Sequence, residues 1–267
     1  MVNDYFVIDS HCHIYPDKIA VAATANTDRF YDVKANHDGK VSTLYGLKES
    51  SGIDHFIVQS VATTPKQVRS INEFIAGAVE QSGGCMTGLG TLHPDSADMR
   101  EDIRHLKELG LHGVKLHPDI QQFRIDDYRC LKIYELCEGE NIPILMHTGD
   151  NRYDYSNPNR LKPVCKIFTG LTIVGAHMGG WSIWEEACEE LCGIPNLYFD
   201  CSSTFHWIGP ERAKVLILKH GCDRVLFGSD YPMWDPAHEL SEFFKMNLTP
   251  EQNRMILSEN AKRIFKF

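Results

Sequence analysis

Residues 113–147 of this chain read GVKLHPDIQQFRIDDYRCLKIYELCEGENIPILMH. The segment opens with one short apolar run, GVKLH (113–117), and closes with another, PILMH (143–147). PILMH is apolar up to its final histidine, which is typical of a parallel strand that is covered on both faces, and GVKLH is interrupted only by Lys115 before its own histidine. The stretch between them, Asp126 to Glu138, has the apolar spacing of a helix and is followed by Gly139, a common helix terminator. The segment therefore predicts one β-α-β unit.

The same kind of run recurs along the whole chain at intervals of about 31 residues, the length of one β-α-β unit. The chain has eight such runs: YFVID (5–9), HFIVQS (55–60), CMTGLGTL (85–92), GVKLH (113–117), PILMH (143–147), TIVGAH (172–177), NLYFD (196–200) and RVLFGSD (224–230). Eight units can close into a barrel, so we expect an α/β protein with a single-domain (β/α)8 TIM barrel over residues 1–267. A doubly wound open sheet is the alternative, but it would need a G-x-G-x-x-G turn after the first strand, and this turn is missing.

Helix start signals lie between the predicted strands. Thr64-Pro65-Lys66-Gln67 and Thr249-Pro250-Glu251-Gln252 each combine a capping threonine, a proline at the first helical position and a glutamine two residues further on. Ser96 to Leu109 also has helical spacing. Residues 15–42 carry no such pattern, so we expect an irregular stretch there and treat it as a candidate active-site loop.

The composition is that of a globular protein, with 43% hydrophobic and 24% charged residues. A net charge of −9 argues against a nucleic-acid-binding surface, and no apolar run approaches the roughly 18 residues of a membrane span. The nine cysteines are scattered without a C-x-x-C pair, and the first residues lack the basic start of a signal peptide. We therefore expect a reduced, cytoplasmic protein whose partner is a small molecule, not a nucleic acid or a membrane.

Histidine is concentrated where the predicted strands end. Of the 13 histidines in the chain, six lie at the end of an apolar run: His11, His13, His93, His117, His147 and His177. Asp230 ends the eighth run in the same way. In a (β/α)8 barrel the carboxyl ends of the strands meet at one mouth, where barrel enzymes carry their active sites. The sequence therefore predicts that these side chains share a site.

His11 and His13 form the sharpest local motif. Residues i and i+2 of an extended strand point to the same face, so both imidazoles can reach one metal ion. A lone His-x-His motif on a solvated strand edge is the alternative, but His147 and Asp230 at two further strand ends complete a ligand set. Three imidazoles and a carboxylate suit one divalent ion, with Zn²⁺ preferred and Mn²⁺, Fe²⁺ or Co²⁺ also compatible.

Five ordered motifs resemble the amidohydrolase superfamily. They are HCH (11–13), GVKLHPD (113–119), ILMHTGD (144–150), IVGAHMGG (173–180) and VLFGSDYP (225–232). The similarity is greatest to the amidohydrolase-related branch, which includes aminocarboxymuconate semialdehyde decarboxylase and related hydrolases and lactonases. The resemblance implies a metal on His11, His13, His147 and Asp230 and a proton-handling role for His177. It also implies a barrel that is often a homodimer.

The chemistry of two of these residues agrees with a catalytic role. Asp230 can hold the metal through one carboxylate oxygen and accept a proton through the other. His177 can polarise a substrate carbonyl or shuttle a proton, the alternative being a core histidine that bonds the backbone. We therefore expect His177 and Asp230 to be the catalytic residues.

Three further residues are candidates for substrate binding. Lys115 lies two residues before His117 on the same face of a strand, where its charge can bind a substrate oxyanion or pair with a carboxylate. In binuclear members of the superfamily a lysine on the fourth strand is carbamylated and bridges two metals, so the metal count, expected to be one, stays open. His117 and Trp181 are expected to contact the substrate, with a loop-anchoring hydrogen bond and simple packing as their alternatives.

The leading functional hypothesis is a metal-dependent hydrolase of a small amide, lactone or cyclic substrate, with a metal-activated water at the carboxyl-terminal mouth of the barrel. The alternative is a metal-dependent nonoxidative decarboxylase, a lyase, of a small unsaturated or aromatic carboxylic acid. A third hypothesis, a non-catalytic metal-binding barrel, would require a degraded ligand set, and here every expected ligand type is present. The products separate the first two, because only decarboxylation releases carbon dioxide.

Overall fold

The strands of the computed structural model, which describes residues 5–267, form a parallel barrel. They are β1 (Ile8–His13), β2 (His55–Gln59), β3 (Met86–Gly88), β4 (Gly90–Thr91), β5 (Val114–Leu116), β6 (Ile144–Met146), β7 (Ile173–Gly175), β8 (Leu197–Asp200) and β9 (Val225–Leu226). The third predicted run is divided at Leu89 into β3 and β4, so eight runs give nine segments.

Hydrogen bonds across two junctions close the barrel. Neighbouring strands pair in chain order, β1-β2-β3 before Leu89 and β4 to β9 after it. The backbone N–H of Leu89 donates to the carbonyl of Val58 over 2.9 Å, which joins the two groups. On the other side, the N–H of Ser10 donates to the carbonyl of Phe227 over 2.9 Å and joins the first strand to the last. The predicted (β/α)8 barrel is confirmed.

Helices follow the strands around the outside of the barrel. They are α1 (Asp17–Tyr31), α2 (Val41–Ser51), α3 (Val68–Gln81), α4 (Met99–Glu108), α5 (Pro118–Gln121), α6 (Tyr128–Gly139), α7 (Pro158–Ile167), α8 (Trp184–Leu191), α9 (Phe205–His220), α10 (Pro236–Lys245), α11 (Pro250–Arg254) and α12 (Asn260–Phe265). A π-helical turn over Met255–Glu259 links α11 to α12. Both predicted capping boxes, at Thr64 and Thr249, are present.

The prediction of an irregular stretch over residues 15–42 is wrong, because α1 occupies Asp17–Tyr31. The sequence gives little sign of this helix. Its N-cap, Pro16, supplies no capping side chain, and only Ala20 and Thr24 on the helix are buried. A helix with so narrow a buried stripe has no strong apolar periodicity to detect. α1 nevertheless lies over the barrel mouth and lines the cavity described below.

The interior of the barrel is closed at one end only. Its buried apolar residues form one cluster: Ile8, Ile57, Leu89, Leu145, Val174, Ala176 and Leu226, with Ala261, Ile264 and Phe265 of α12. The last three cover the end of the barrel where the strands begin. Polar groups therefore accumulate at the opposite end, where the strands finish and the active sites of such barrels lie.

Two global features of the described chain concern its cysteines and the length of its helices. All nine cysteines are free thiols, and eight of them are buried. No helix within residues 5–267 is long and apolar enough to cross a bilayer.

Acid should destabilise the fold through His220, at the end of α9. Its ring is fully buried, stacks on Phe199 with 3.9 Å between centroids and bonds the carbonyl of Leu197. Burial lowers the pKa of His220 from 6.5 to about 4, so the unfolded chain takes up this proton first as the pH falls. The contribution of His220 to the free energy of unfolding is complete above pH 6.5 and is lost as the pH falls toward 4. About 2 kcal/mol of it is lost by pH 5.

Urea unfolding at pH 7 and pH 5 tests this prediction. The loss of stability between the two values should be about 2 kcal/mol smaller in His220→Gln than in the unmodified chain. His238→Gln is the matched control, since the His238 side chain is 61% exposed. Equal losses in all three proteins would contradict the prediction.

Candidate metal centre and active site

The carboxyl ends of the strands open into a cavity of about 640 Å³ at the barrel mouth. All eight site residues predicted from the sequence line it: His11, His13, Lys115, His117, His147, His177, Trp181 and Asp230. His93, which also ends a strand run, has a different role. Its Nδ1 accepts the backbone N–H of Asp95 over 3.1 Å and anchors the following loop.

Three of the four predicted ligands converge directly. The Nε2 atoms of His11 and His13 are 3.1 Å apart. Oδ1 of Asp230 lies 3.3 Å from the first and 3.7 Å from the second. These three atoms lie within 4.8 Å of one another, as the ligands of a single ion do.

The fourth predicted ligand, His147, lies in a neighbouring group with His117 and Asp119. Its Nδ1 is 3.0 Å from Nε2 of His177. The structure therefore brings His147 and His177 to the edge of the cluster together. By position, His147 and His177 are equally placed to supply the fourth metal ligand.

Asp200, at the end of β8, fixes the orientation of the cluster. Its Oδ2 lies 2.9 Å from Nδ1 of His11, and its Oδ1 accepts the backbone N–H of His177 over 3.0 Å. A carboxylate that accepts from Nδ1 places the ring proton there and leaves a lone pair on Nε2. The inward-facing nitrogen of His11 thus presents a lone pair, the donor that a metal ion requires. Asp200 ends the run NLYFD (196–200), so it stands at the strand end where barrels present functional side chains.

Two backbone carbonyls orient His177 and His147 in the same way. Nδ1 of His177 lies 3.1 Å from the carbonyl oxygen of Ser202, and Nε2 of His147 lies 3.1 Å from that of Gly149. A carbonyl oxygen only accepts, so each of these nitrogens carries the ring proton. Burial lowers the pKa of both rings below 6.5, which keeps them neutral. The other two nitrogens, Nδ1 of His147 and Nε2 of His177, carry lone pairs and face each other at a distance of 3.0 Å.

Lys115 places a basic side chain directly against this cluster. Its side chain is fully buried, and its Nζ donates to Nε2 of His11 over 2.9 Å. Burial lowers the pKa of Lys115 to about 8, against the opposing effect of the carboxylates of Asp200 and Asp230. The Lys115 ammonium thus lies beside the lone pair on Nε2 of His11 and is stabilised by the carboxylates of Asp200 and Asp230. Beyond the oxyanion-binding role predicted for it, Lys115 contacts a metal-ligand candidate directly.

The donor set fits a divalent metal ion. Outer hydrogen bonds leave imidazole lone pairs of His11, His147 and His177 pointing inward, beside the carboxylate of Asp230. Nitrogen and carboxylate donors of this kind are those that Zn²⁺, Mn²⁺, Fe²⁺ and Co²⁺ accept. A cation would also relieve the repulsion between the facing lone pairs.

Asp230 is held by residues that the sequence analysis did not identify. It follows β9 with a left-handed backbone, φ 65°, and its Oδ2 accepts from the Ser203 hydroxyl over 2.6 Å. That hydroxyl in turn accepts from the indole Nε1–H of Trp234 over 2.7 Å. Burial raises the pKa of Asp230 to about 7. A chain of two donors thus directs one oxygen away from the cluster and leaves Oδ1 facing His11 and His13.

Tyr31, at the end of α1, is another residue that the sequence analysis missed, because it lies in the stretch expected to be irregular. Its hydroxyl lies 2.8 Å from Nε2 of His117 and 3.3 Å from Nε2 of His147. The Trp181 ring packs edge-on against it, with 4.9 Å between centroids. His117 also accepts the N–H of Ile120 at Nδ1, so it both anchors a loop and faces the cavity.

Arg152 fixes the end of α1 over the cavity. Its guanidinium pairs with the buried carboxylate of Asp150, Nη2 to Oδ2 at 2.7 Å, and donates to the carbonyl of Phe30 over 2.6 Å. It also lies 5.3 Å from the centre of the Tyr31 ring and 5.4 Å from that of Trp181. These cation–π contacts and hydrogen bonds hold the Tyr31 hydroxyl in place.

Asp119 adds a buried acid behind His147. Its Oδ2 accepts from the Ser156 hydroxyl and lies 3.7 Å from Nε2 of His147. Its Oδ1 is buried without a hydrogen-bond partner among residues 5–267. Burial raises the pKa of Asp119 to about 7. The GVKLHPD motif contains this residue, but nothing in the motif separates it from a solvated loop aspartate.

Solved structures of similar fold cover almost the whole chain. An uncharacterised TIM-barrel protein from Bordetella bronchiseptica has a TM-score of 0.78 at 22% identity, with 97% of this chain and 98% of that chain covered. A 5-carboxyvanillate decarboxylase from Sphingomonas paucimobilis has a TM-score of 0.76 at 16% identity, with 99% and 100% covered. A dihydroxybenzoic acid decarboxylase from a Polaromonas species, with bound manganese and the inhibitor 2-nitroresorcinol, has a TM-score of 0.73 at 17% identity, with 98% and 97% covered. Identities this low support the barrel fold and nothing finer.

The sequence itself carries the family assignment. The family described as amidohydrolase matches residues 8–267, which include every strand and all eight predicted site residues. The match agrees with the five motifs and with the cluster of histidines and Asp230 at the barrel mouth. This chain therefore belongs to the amidohydrolase family of metal-dependent enzymes.

Proposed function

We propose that this enzyme is a metal-dependent nonoxidative decarboxylase of a carboxylic acid with an unsaturated or aromatic skeleton. The charge of the cavity carries the proposal. The chain has a net charge of −9, yet Asp230 is the only acidic residue among the described residues that line the cavity. Lys115 and Lys18 are basic residues of the same lining. Such a lining favours an anionic substrate.

The walls of the cavity support a flat substrate skeleton. Seven phenylalanine, tyrosine and tryptophan side chains line it: Tyr15, Phe30, Tyr31, Phe74, Trp181, Trp207 and Trp234. Aromatic rings bind planar π systems through stacked or edge-on contacts. Two structural neighbours are decarboxylases, of 5-carboxyvanillate and of a dihydroxybenzoic acid, which also supports decarboxylation rather than the hydrolysis that the sequence analysis placed first.

The reaction breaks the bond between the carboxylate carbon and the skeleton. Carbon dioxide leaves, the electron pair stays on the skeleton carbon, and that carbon takes up one proton, so RCO₂⁻ + H⁺ gives RH + CO₂. We assign His11, His13, His147 and Asp230 as the residues that hold one divalent ion, Zn²⁺ or Mn²⁺. When bound, that ion supplies positive charge that stabilises the electron pair.

The remaining residues bind the acid and supply the proton. The Lys115 ammonium, which is part of the cavity lining, offers a charged donor to the substrate carboxylate. Neutral His177 directs the lone pair of Nε2 toward the cluster, where it can take up a proton and pass it on, and we assign this residue to proton transfer. Burial and the nearby carboxylates of Asp119 and Asp230 hold the pKa of Tyr31 well above 10, so its phenol is a neutral donor to the substrate.

Product analysis in D₂O tests the proposal. Metal-loaded enzyme should release carbon dioxide from members of a panel of hydroxybenzoates and unsaturated acids. Each product should carry one deuterium at the carbon that lost the carboxylate, as measured by headspace analysis and mass spectrometry. Enzyme treated with a chelator is the control. Opening of lactones or cleavage of amides without carbon dioxide would overturn the proposal and restore the hydrolase hypothesis.

A further inference from the structure

The cavity at the barrel mouth extends well beyond the metal cluster, between α1 and α3. We call this part the outer arm. It is lined by Ile19 and Ala23 of α1 and by Ile71 and Phe74 of α3. The whole cavity has a volume of about 640 Å³, within the range that encloses drug-sized ligands. A monocyclic acid of about a dozen non-hydrogen atoms would leave much of that space unfilled.

Two of the polar groups beside the outer arm are already hydrogen-bonded. Oε1 of Gln67 accepts the backbone N–H groups of Thr63 and Thr64 over 2.9 and 3.0 Å, as part of the capping box that starts the helix. The Ser70 hydroxyl donates to the carbonyl of Gln67 over 3.1 Å. A polar ligand group would have to compete with these bonds. The outer arm therefore offers mainly carbon atoms to whatever enters it.

The apolar residues of the outer arm are incompletely buried by the protein itself. Ile19 is 47% exposed, and Ile71 and Phe74 are half-buried. An apolar group that entered the arm would remove this surface from water, which is favourable in proportion to the area covered. Each methylene buried in this way strengthens binding by about fourfold.

We propose that the outer arm binds an apolar tail of the substrate. On this assignment the enzyme acts on carboxylic acids that carry an alkyl chain or a second ring at the end remote from the carboxylate. The assignment of the acid head to the metal cluster rests on the proposed function. The assignment of the tail rests on the outer arm alone, which makes the two separable by experiment. Lys18, the only charged residue of α1 or α3 among the described lining residues, is exposed, and its positive charge disfavours a cationic tail.

A series of aromatic acids with one head group and remote alkyl tails of one to six carbons tests the proposal. Dissociation constants come from calorimetry and kcat/KM from carbon dioxide release, both with metal-loaded enzyme. Affinity and kcat/KM should rise by about fourfold for each of the first methylenes, and by about 50-fold or more in total. The tailless parent acid sets the baseline.

Variants that fill the outer arm from either wall locate the effect. Ile71→Trp on α3 and Ala23→Phe on α1 should each remove the gain from the tail and change the parent acid by less than about threefold. Two walls are used so that a folding defect in one variant does not decide the outcome. Val215→Trp is the matched control, because Val215 on α9 is 52% exposed and is not part of the lining.

The outcomes separate the two proposals. Tail-dependent binding that both variants remove, without carbon dioxide release from any acid, supports the outer arm and overturns the decarboxylase. Carbon dioxide release with less than a threefold effect of tail length overturns the outer arm and leaves the decarboxylase. If Val215→Trp removes the effect of tail length equally, or if neither variant of the outer arm changes it, the tail does not bind in the outer arm. Failure of every acid to bind overturns both proposals.

Discussion

Replacing His13 with alanine is expected to empty the metal centre and to abolish turnover together. His13 contributes one of three donor atoms that lie within 4.8 Å of one another, so its removal leaves an incomplete set. Loss of a group that only orients a ligand weakens metal binding by about 10- to 100-fold, and loss of a direct ligand should exceed that. The fold should persist, because the His13 side chain is 12% exposed at the barrel mouth and lies outside the apolar core.

Elemental analysis of protein purified without chelator, together with thermal unfolding, checks this result. The unmodified chain should carry about one ion, in keeping with a single four-ligand site. His238→Ala is the control, since the His238 side chain is 61% exposed on α10. Full metal occupancy in His13→Ala would refute the ligand assignment. A content near two in the unmodified chain would point instead to Lys115 as a carbamylated bridge.

The second large effect is expected for His177→Asn, which should keep the metal and lose turnover by about 10²- to 10⁴-fold, the usual contribution of a proton-transfer group. Asparagine keeps a donor that can reach the Ser202 carbonyl, so the variant preserves that outer contact while removing the titratable ring. The pH–rate profile should also lose one limb, because an amide does not titrate in this range.

Metal content decides between the two possible roles of His177. Its Nε2 lies 3.0 Å from Nδ1 of His147, so either ring can supply the fourth ligand. Loss of metal from His177→Asn would make His177 a ligand rather than a proton carrier. Unchanged turnover with the metal retained would leave it a core histidine that bonds Ser202. His93→Asn is the matched control, because His93 also ends a strand run but only anchors the loop at Asp95.

The strand ends were predictable because their signals are local. A run such as PILMH combines continuous apolar character with a terminal histidine, and parallel strands place such termini at one mouth whatever the details of packing. The helix starts at Thr64 and Thr249 were equally readable, since a capping box forms within four residues. The same logic fails for α1, whose buried stripe is limited to Ala20 and Thr24.

The finer organisation of the site depended on contacts between distant segments. Tyr31 reaches His117 because Arg152, over 100 residues later, ties the end of α1 to the loop after β6. Ser203 and Trp234 orient Asp230 through hydrogen bonds between side chains that share no sequence motif. Pairings of this kind leave no periodic trace in a single sequence.

The sequence by itself predicted the barrel, eight of the residues that line its mouth and a donor set that suits a divalent metal ion. These follow from strand periodicity and from the chemistry of histidine and aspartate. Only the tertiary structure decided which nitrogen of each imidazole faces inward. That choice is made by Asp200 on His11 and by the backbone carbonyls beside His147 and His177, groups brought together by barrel closure rather than by sequence proximity. The outer arm arises in the same way, because it exists only where α1 and α3 line one cavity.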